Sequence, residues 1–107
     1  MTELDAETWG REMAEWDWLV FGRWDRLHHA TLTPKQYEEL GNNSYLDETI
    51  TLTCGIRASR PGIPGLFTRA GCLRCAHCCD RLGYPRGVGS PKNDDACRAS
   101  VRAKLSA

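Results

Sequence analysis

The sequence predicts a small α+β domain. Three observations predict it: a strictly alternating run over residues 49–54, helix starts with identifiable caps near residues 33 and 94, and a length of 107 residues that suits one domain. Six cysteines in so short a chain are its most unusual feature. No stretch reaches the roughly 18 consecutive apolar residues of a transmembrane helix. The acidic N-terminal run, with Glu3, Asp5 and Glu7, lacks the basic region and apolar core of a secretory signal, so the expected compartment is the cytoplasm. There thiols stay reduced, and a high cysteine density reads as metal ligands before disulfides.

The formal net charge is zero, but it divides sharply along the chain. Residues 1–53 carry eleven acids and four bases, a net −7, and residues 54–107 carry three acids and ten bases, a net +7. All four tryptophans lie in the acidic portion and all six cysteines in the basic one. A boundary at the Gly41-Asn42-Asn43-Ser44 turn divides an acidic, Trp-rich helical segment, 1–44, from a basic, cysteine-rich metal-binding module, 45–107.

From the N-terminus, Trp9, Met13, Trp16, Val20, Trp24 and Leu27 recur every three or four residues, which predicts a helix from about residue 4 to 28 with these side chains on one face. Gly22 weakens it by about 1 kcal/mol relative to alanine. Trp18 falls opposite the stripe, near Phe21, and the two are a candidate patch for a protein partner. Thr33-Pro34-Lys35-Gln36 combines an N-cap threonine, a proline at the first helical position and a glutamine that completes a capping box, and Gly41 is expected to end that helix. In the alternating run, Ile50, Leu52 and Cys54 share one side of a strand, and residues 66–69 are expected to return as its hairpin partner. Asn93 or Asp94 caps a final helix running to about Ser106.

The segment Cys72-Leu73-Arg74-Cys75-Ala76-His77-Cys78-Cys79 carries the strongest chemical signal. A C-x2-C loop lets two thiolates approach one Zn²⁺ from adjacent tetrahedral directions. Cys54 precedes the segment by eighteen residues and Cys97 follows it by eighteen, enough to close an all-thiolate site. The expected ligands of one zinc ion are Cys54, Cys75, Cys78 and Cys97, with Cys79 the alternate for Cys78 and Cys72 spare. His77 is a less favoured substitute. An iron–sulfur cluster is the competing reading of Cys72, Cys75 and Cys78.

The runs Thr53-Cys54-Gly55, Ile63-Pro64-Gly65-Leu66-Phe67-Thr68-Arg69, Arg74-Cys75-Ala76-His77-Cys78-Cys79 and Gly89-Ser90-Pro91-Lys92-Asn93-Asp94-Asp95-Ala96-Cys97-Arg98 resemble small cysteine-rich, zinc-finger-like proteins of actinobacterial phages. The resemblance covers about residues 53–98. It implies a phage or prophage origin and a zinc-ribbon-like or treble-clef-like module, and it implies no particular activity.

Arg57, Arg60, Arg69, Arg74, Arg81 and Arg86 cluster around the expected metal, and guanidinium groups pair with phosphates and base edges, so they are candidate nucleic-acid contacts. The leading reading is a zinc-binding regulatory or adaptor protein that meets a host protein through its Trp-rich helix, nucleic acid through the basic module, or both, and the alternative is a sequence-tolerant DNA- or RNA-binding zinc finger. No H-E-x-x-H pattern or phosphate-binding glycine loop is present, and no enzymatic activity is expected. His28 and His29, adjacent on the expected helix, would point about 100° apart and are not expected to serve one site.

Overall fold

A computed structural model describes residues 14–22, 26–65 and 70–106. Among these, three α-helices and two small sheets form a mixed α+β fold. The expected N-terminal helix is overturned in its described part. A 3-10 turn at Glu15–Asp17 leads into strand β1 (Trp18–Leu19), the chain turns at Gly22, and strand β2 (Arg26–His29) follows. Residues 4–13 and 23–25 of that expectation lie outside the described residues. Gly22 has φ +61°, a left-handed conformation that interrupts a right-handed helix and that glycine adopts without a Cβ clash.

β1 and β2 pair antiparallel, with Trp18 opposite His29 and Leu19 opposite His28. Directly paired residues share a sheet face, so Trp18 and His29 point one way while Leu19 and His28 point the other. Strand β5 (Leu73–Arg74) joins β2 in parallel, with Leu27 opposite Arg74, to give the order β1-β2-β5. This pairing joins the tryptophan-rich portion of the chain to the cysteine-rich one.

Helix α1 (Pro34–Asn43) starts as expected: the Gln36 amide donates to Thr33 Oγ1 at 3.2 Å and the Thr33 amide donates to Gln36 Oε1 at 2.8 Å. It continues past Gly41 and ends at Ser44, which takes a left-handed φ of 66°. Gly41 lies within the helix, where a Cβ would make ordinary van der Waals contact with the Trp16 ring at 3.5 Å. Strands β3 (Thr49–Thr51) and β4 (Arg57–Ser59) form the second sheet, with Ile50 opposite Ala58. The hairpin therefore closes through residues 52–56, earlier than expected, and residues 66–69 lie outside the described residues. Helix α2 (Ala76–Leu82), a 3-10 turn at Pro91–Asn93 and helix α3 (Asp95–Ser106) complete the chain. Asp94 Oδ1 accepts from the Cys97 amide at 3.1 Å, the expected cap of α3.

Two apolar clusters cover opposite faces of the first sheet. Trp18, Val20, Leu27, Tyr84, Val101 and the buried cysteines form one; Leu19, Ala30, Leu32, Leu40, Leu46, Leu52 and Ala58 form the other. Cys54 packs against both, at the seam. Among the described residues no helix is long and apolar enough to cross a membrane.

Candidate metal centre

Three segments converge at that seam. β2 brings His28, the β3–β4 turn brings Cys54, and the start of α2 brings Cys75 and Cys78. One imidazole nitrogen and three Sγ atoms lie within 4.8 Å of one another, an arrangement that could hold a metal ion. Zinc–thiolate bonds of about 2.3 Å place tetrahedral sulfurs about 3.8 Å apart, so closure around such an ion requires a contraction of about 1 Å at most. His28 Nδ1 lies 3.8 Å from Cys54 Sγ.

Hydrogen bonds position Cys54, Cys75 and Cys78. The Cys75 amide donates to Leu27 O at 2.8 Å, which docks the start of α2 against β2. The His29 amide donates to Cys78 Sγ at 3.4 Å, a bond that favours the thiolate a metal requires. Cys54 is held from two sides. The Thr53 amide donates to His29 O at 2.8 Å, and His29 Nδ1 and Thr53 Oγ1 share a hydrogen bond of 2.6 Å. From α2, Arg81 Nη1 donates to Thr53 O at 3.0 Å. Gly55, with φ +91°, lets the chain reverse directly after Cys54.

Burial dominates the electrostatics. It pushes the Cys78 thiol up to about 12, against a partial offset from the His29 amide, so without a cation this side chain stays protonated at neutral pH. A bound cation reverses that preference, and metal binding there releases protons. Burial also lowers His29 to about 4, leaving a neutral ring that packs edge-on against Trp18 at a centroid distance of 5.4 Å.

The structure brings together three of the four expected ligands. Cys97 lies outside the group and His28 stands in its place, which corrects the all-thiolate expectation. Cys97 is fully buried at the start of α3, where burial raises its thiol to about 11. Cys79, the expected alternate, is also outside the group: it follows Cys78 on α2, turned into the apolar cluster near Arg74. Cys72 is buried as well, and His77 is exposed. Helical geometry hid His28. On a strand, adjacent side chains alternate, so His28 reaches the site while His29 supports it from behind. The available signal was Gly22 directly after the apolar run Trp18-Leu19-Val20-Phe21, a glycine that marks a turn.

The other expected contacts are redistributed. Trp18 is 2 % exposed and stacks on Tyr84, so it belongs to the core and not to a partner surface, because the strand turns it inward. Phe21 is half-buried, its ring 5.0 Å from that of His28. Among the arginines, Arg74 is fully buried and bonded to Asp94 at 2.6 Å, which removes it from any nucleic-acid surface. Arg60 pairs with Asp47 at 3.1 Å and Arg86 with Asp80 at 2.8 Å, while Arg57 and Arg81 are exposed. Arg69 lies outside the described residues.

Compared with family models, with curated proteins and with solved structures, the chain matches none. The class its geometry defines is therefore stated from the cluster alone: the arrangement is compatible with a metal-binding protein.

Proposed function

We propose that the protein is a zinc-stabilised, non-enzymatic regulatory module of phage origin that works in the cytoplasm of a bacterial host by contacting a protein. The observation that carries the reading is the convergence of His28, Cys54, Cys75 and Cys78 from three remote segments. Three thiolates and one imidazole suit Zn²⁺, and four protein ligands fill a tetrahedral shell, the composition of structural rather than catalytic sites. An iron–sulfur cluster is disfavoured because ligand atoms this close surround a single ion, whereas a cluster holds its thiolates farther apart. The phage origin rests on the resemblance of residues 53–98.

A protein target is favoured over nucleic acid because Arg60, Arg74 and Arg86 are already paired with carboxylates. The second reading, a DNA- or RNA-binding finger, is supported by exposed Arg57 and Arg81 beside the Cys54 turn. Native mass spectrometry with elemental analysis tests the metal in protein purified under reducing conditions. One zinc per chain is expected, lost or weakened in His28→Ala and retained in Cys97→Ser; iron with sulfide, or no metal, overturns the reading. Salt separates the two targets, since a phosphate-binding surface loses affinity steeply between 50 and 200 mM salt.

A further inference from the structure

Cys54 differs from its fellow ligands in accessibility. His28, Cys75 and Cys78 are 9 %, 5 % and 0 % exposed, whereas Cys54 is half-buried on a turn whose next two residues, Gly55 and Ile56, are exposed. Its sulfur lies within 4.8 Å of the Cys78 sulfur. The Arg81 guanidinium lies alongside, about 3.9 Å from where a Cβ on Gly55 would stand, and places a positive charge next to the approach to Cys54.

We propose that Cys54 is a site of oxidative modification by peroxides, which closes a disulfide to Cys78 and releases the metal. The proposal rests on the zinc reading and adds its regulation. The Cys54 thiolate attacks one peroxide oxygen; an S–O bond forms, the O–O bond breaks and hydroxide leaves beside Arg81, giving a sulfenic acid. The Cys78 thiolate then attacks the Cys54 sulfur, forming the S–S bond and expelling a second hydroxide. Two thiolates have lost two electrons and the peroxide has gained them, its two hydroxides taking up protons to become water. Only His28 and Cys75 remain, too few to close a tetrahedral shell, so Zn²⁺ dissociates. A thiol reductant reverses the sequence. Cys72, Cys79 and Cys97, each 9 % exposed or less and outside the ligand group, serve as internal controls.

The test treats the zinc-loaded full chain with hydrogen peroxide and follows zinc with a chromophoric chelator, intact mass and disulfide-mapped peptides. The expected result is one zinc released per disulfide, a mass loss of two hydrogens, a single Cys54–Cys78 link, and recovery of zinc binding after reduction. Cys72→Ser should respond identically. A loaded chain that keeps its zinc and its reduced thiols under peroxide overturns this proposal alone, as does zinc release with a disulfide among Cys72, Cys79 and Cys97. A chain that purifies without any ion overturns the zinc reading as well. Since Cys54→Ser can lose zinc outright, maleimide labelling of the unsubstituted loaded chain supplies the independent readout. Cys54 should be modified first, and earlier labelling of any other cysteine counts against the proposal.

Discussion

Replacing Asp94 by alanine isolates the cost of stranding a buried charge. The Arg74 side chain is completely buried, and it donates to Asp94 Oδ2 at 2.6 Å and to Pro85 O and Gly89 O at 3.2 Å each. Asp94 is 22 % exposed at its side chain, and its other oxygen caps α3 through the Cys97 amide. Removing one partner of a buried pair costs about 3–5 kcal/mol, and losing the cap costs about 1 kcal/mol. The partial exposure of Asp94 selects the lower part of that range, so Asp94→Ala should cost about 4 kcal/mol, a large share of the ~5–15 kcal/mol that holds a domain together. Arg74→Met should cost less, about 2 kcal/mol, because it deletes the buried charge and leaves a carboxylate that water can reach. The Arg74 guanidinium also holds the Asp94 carboxyl below its ordinary value of 3.8. That stabilisation is therefore present above about pH 4 and lost as pH falls further, and Asp94→Asn should remove this acid dependence. Urea denaturation of the reduced, zinc-saturated protein measures all three variants. An Asp94→Ala cost below about 1 kcal/mol, or an Arg74→Met cost exceeding it, refutes the argument.

Three further outcomes follow from the packing and the thiols. Thr33→Ala should lower stability by about 1 kcal/mol through loss of the capping box, read by urea denaturation followed by far-ultraviolet circular dichroism. Trp18→Ala should cost about 3–5 kcal/mol as a core truncation, with loss of the near-ultraviolet signal from its stacking on Tyr84. In the reduced, metal-free chain, Cys78 and Cys97 are raised to about 12 and 11 from the ordinary 9.0. Since the unfolded thiols ionise first, stability should be flat below about pH 9 and fall as pH rises toward 12. Denaturation midpoints at several alkaline pH values check this, and zinc loading should abolish the Cys78 share of the fall.

Local signals were legible and long-range ones were not. The Thr33–Gln36 capping box and the Asp94 cap depend on residues within a few positions of one another, and both stand in the structure. Of the alternating run only Thr49–Thr51 is strand, and Leu52 and Cys54 lie in the turn beyond it. In its described part the expected N-terminal helix is replaced by strands, because tryptophans at helical spacing resemble a helix stripe while pairing of Leu27 with Arg74 in a parallel ladder is invisible to a short window. The same error concealed His28, since a helix turns the two histidines apart on one cylinder whereas a strand sends them to opposite faces. Cys54, Cys75 and Cys78 were identifiable from residue type and spacing. Excluding Cys97 required knowing that its place at the start of α3 leaves it outside the group formed by His28, Cys54, Cys75 and Cys78, a tertiary fact.

The spacing of the ligands also orders events during synthesis. His28 and Cys54 are 26 residues apart, and Cys78 emerges from the ribosome well after both. On the zinc reading, this coordination sphere cannot be completed until α2 has been translated. On that reading, arrival of Cys75 and Cys78 would then fasten β2, the Cys54 turn and α2 in a single event, and the ion would act as a late cooperative latch rather than a template on which the first segments fold.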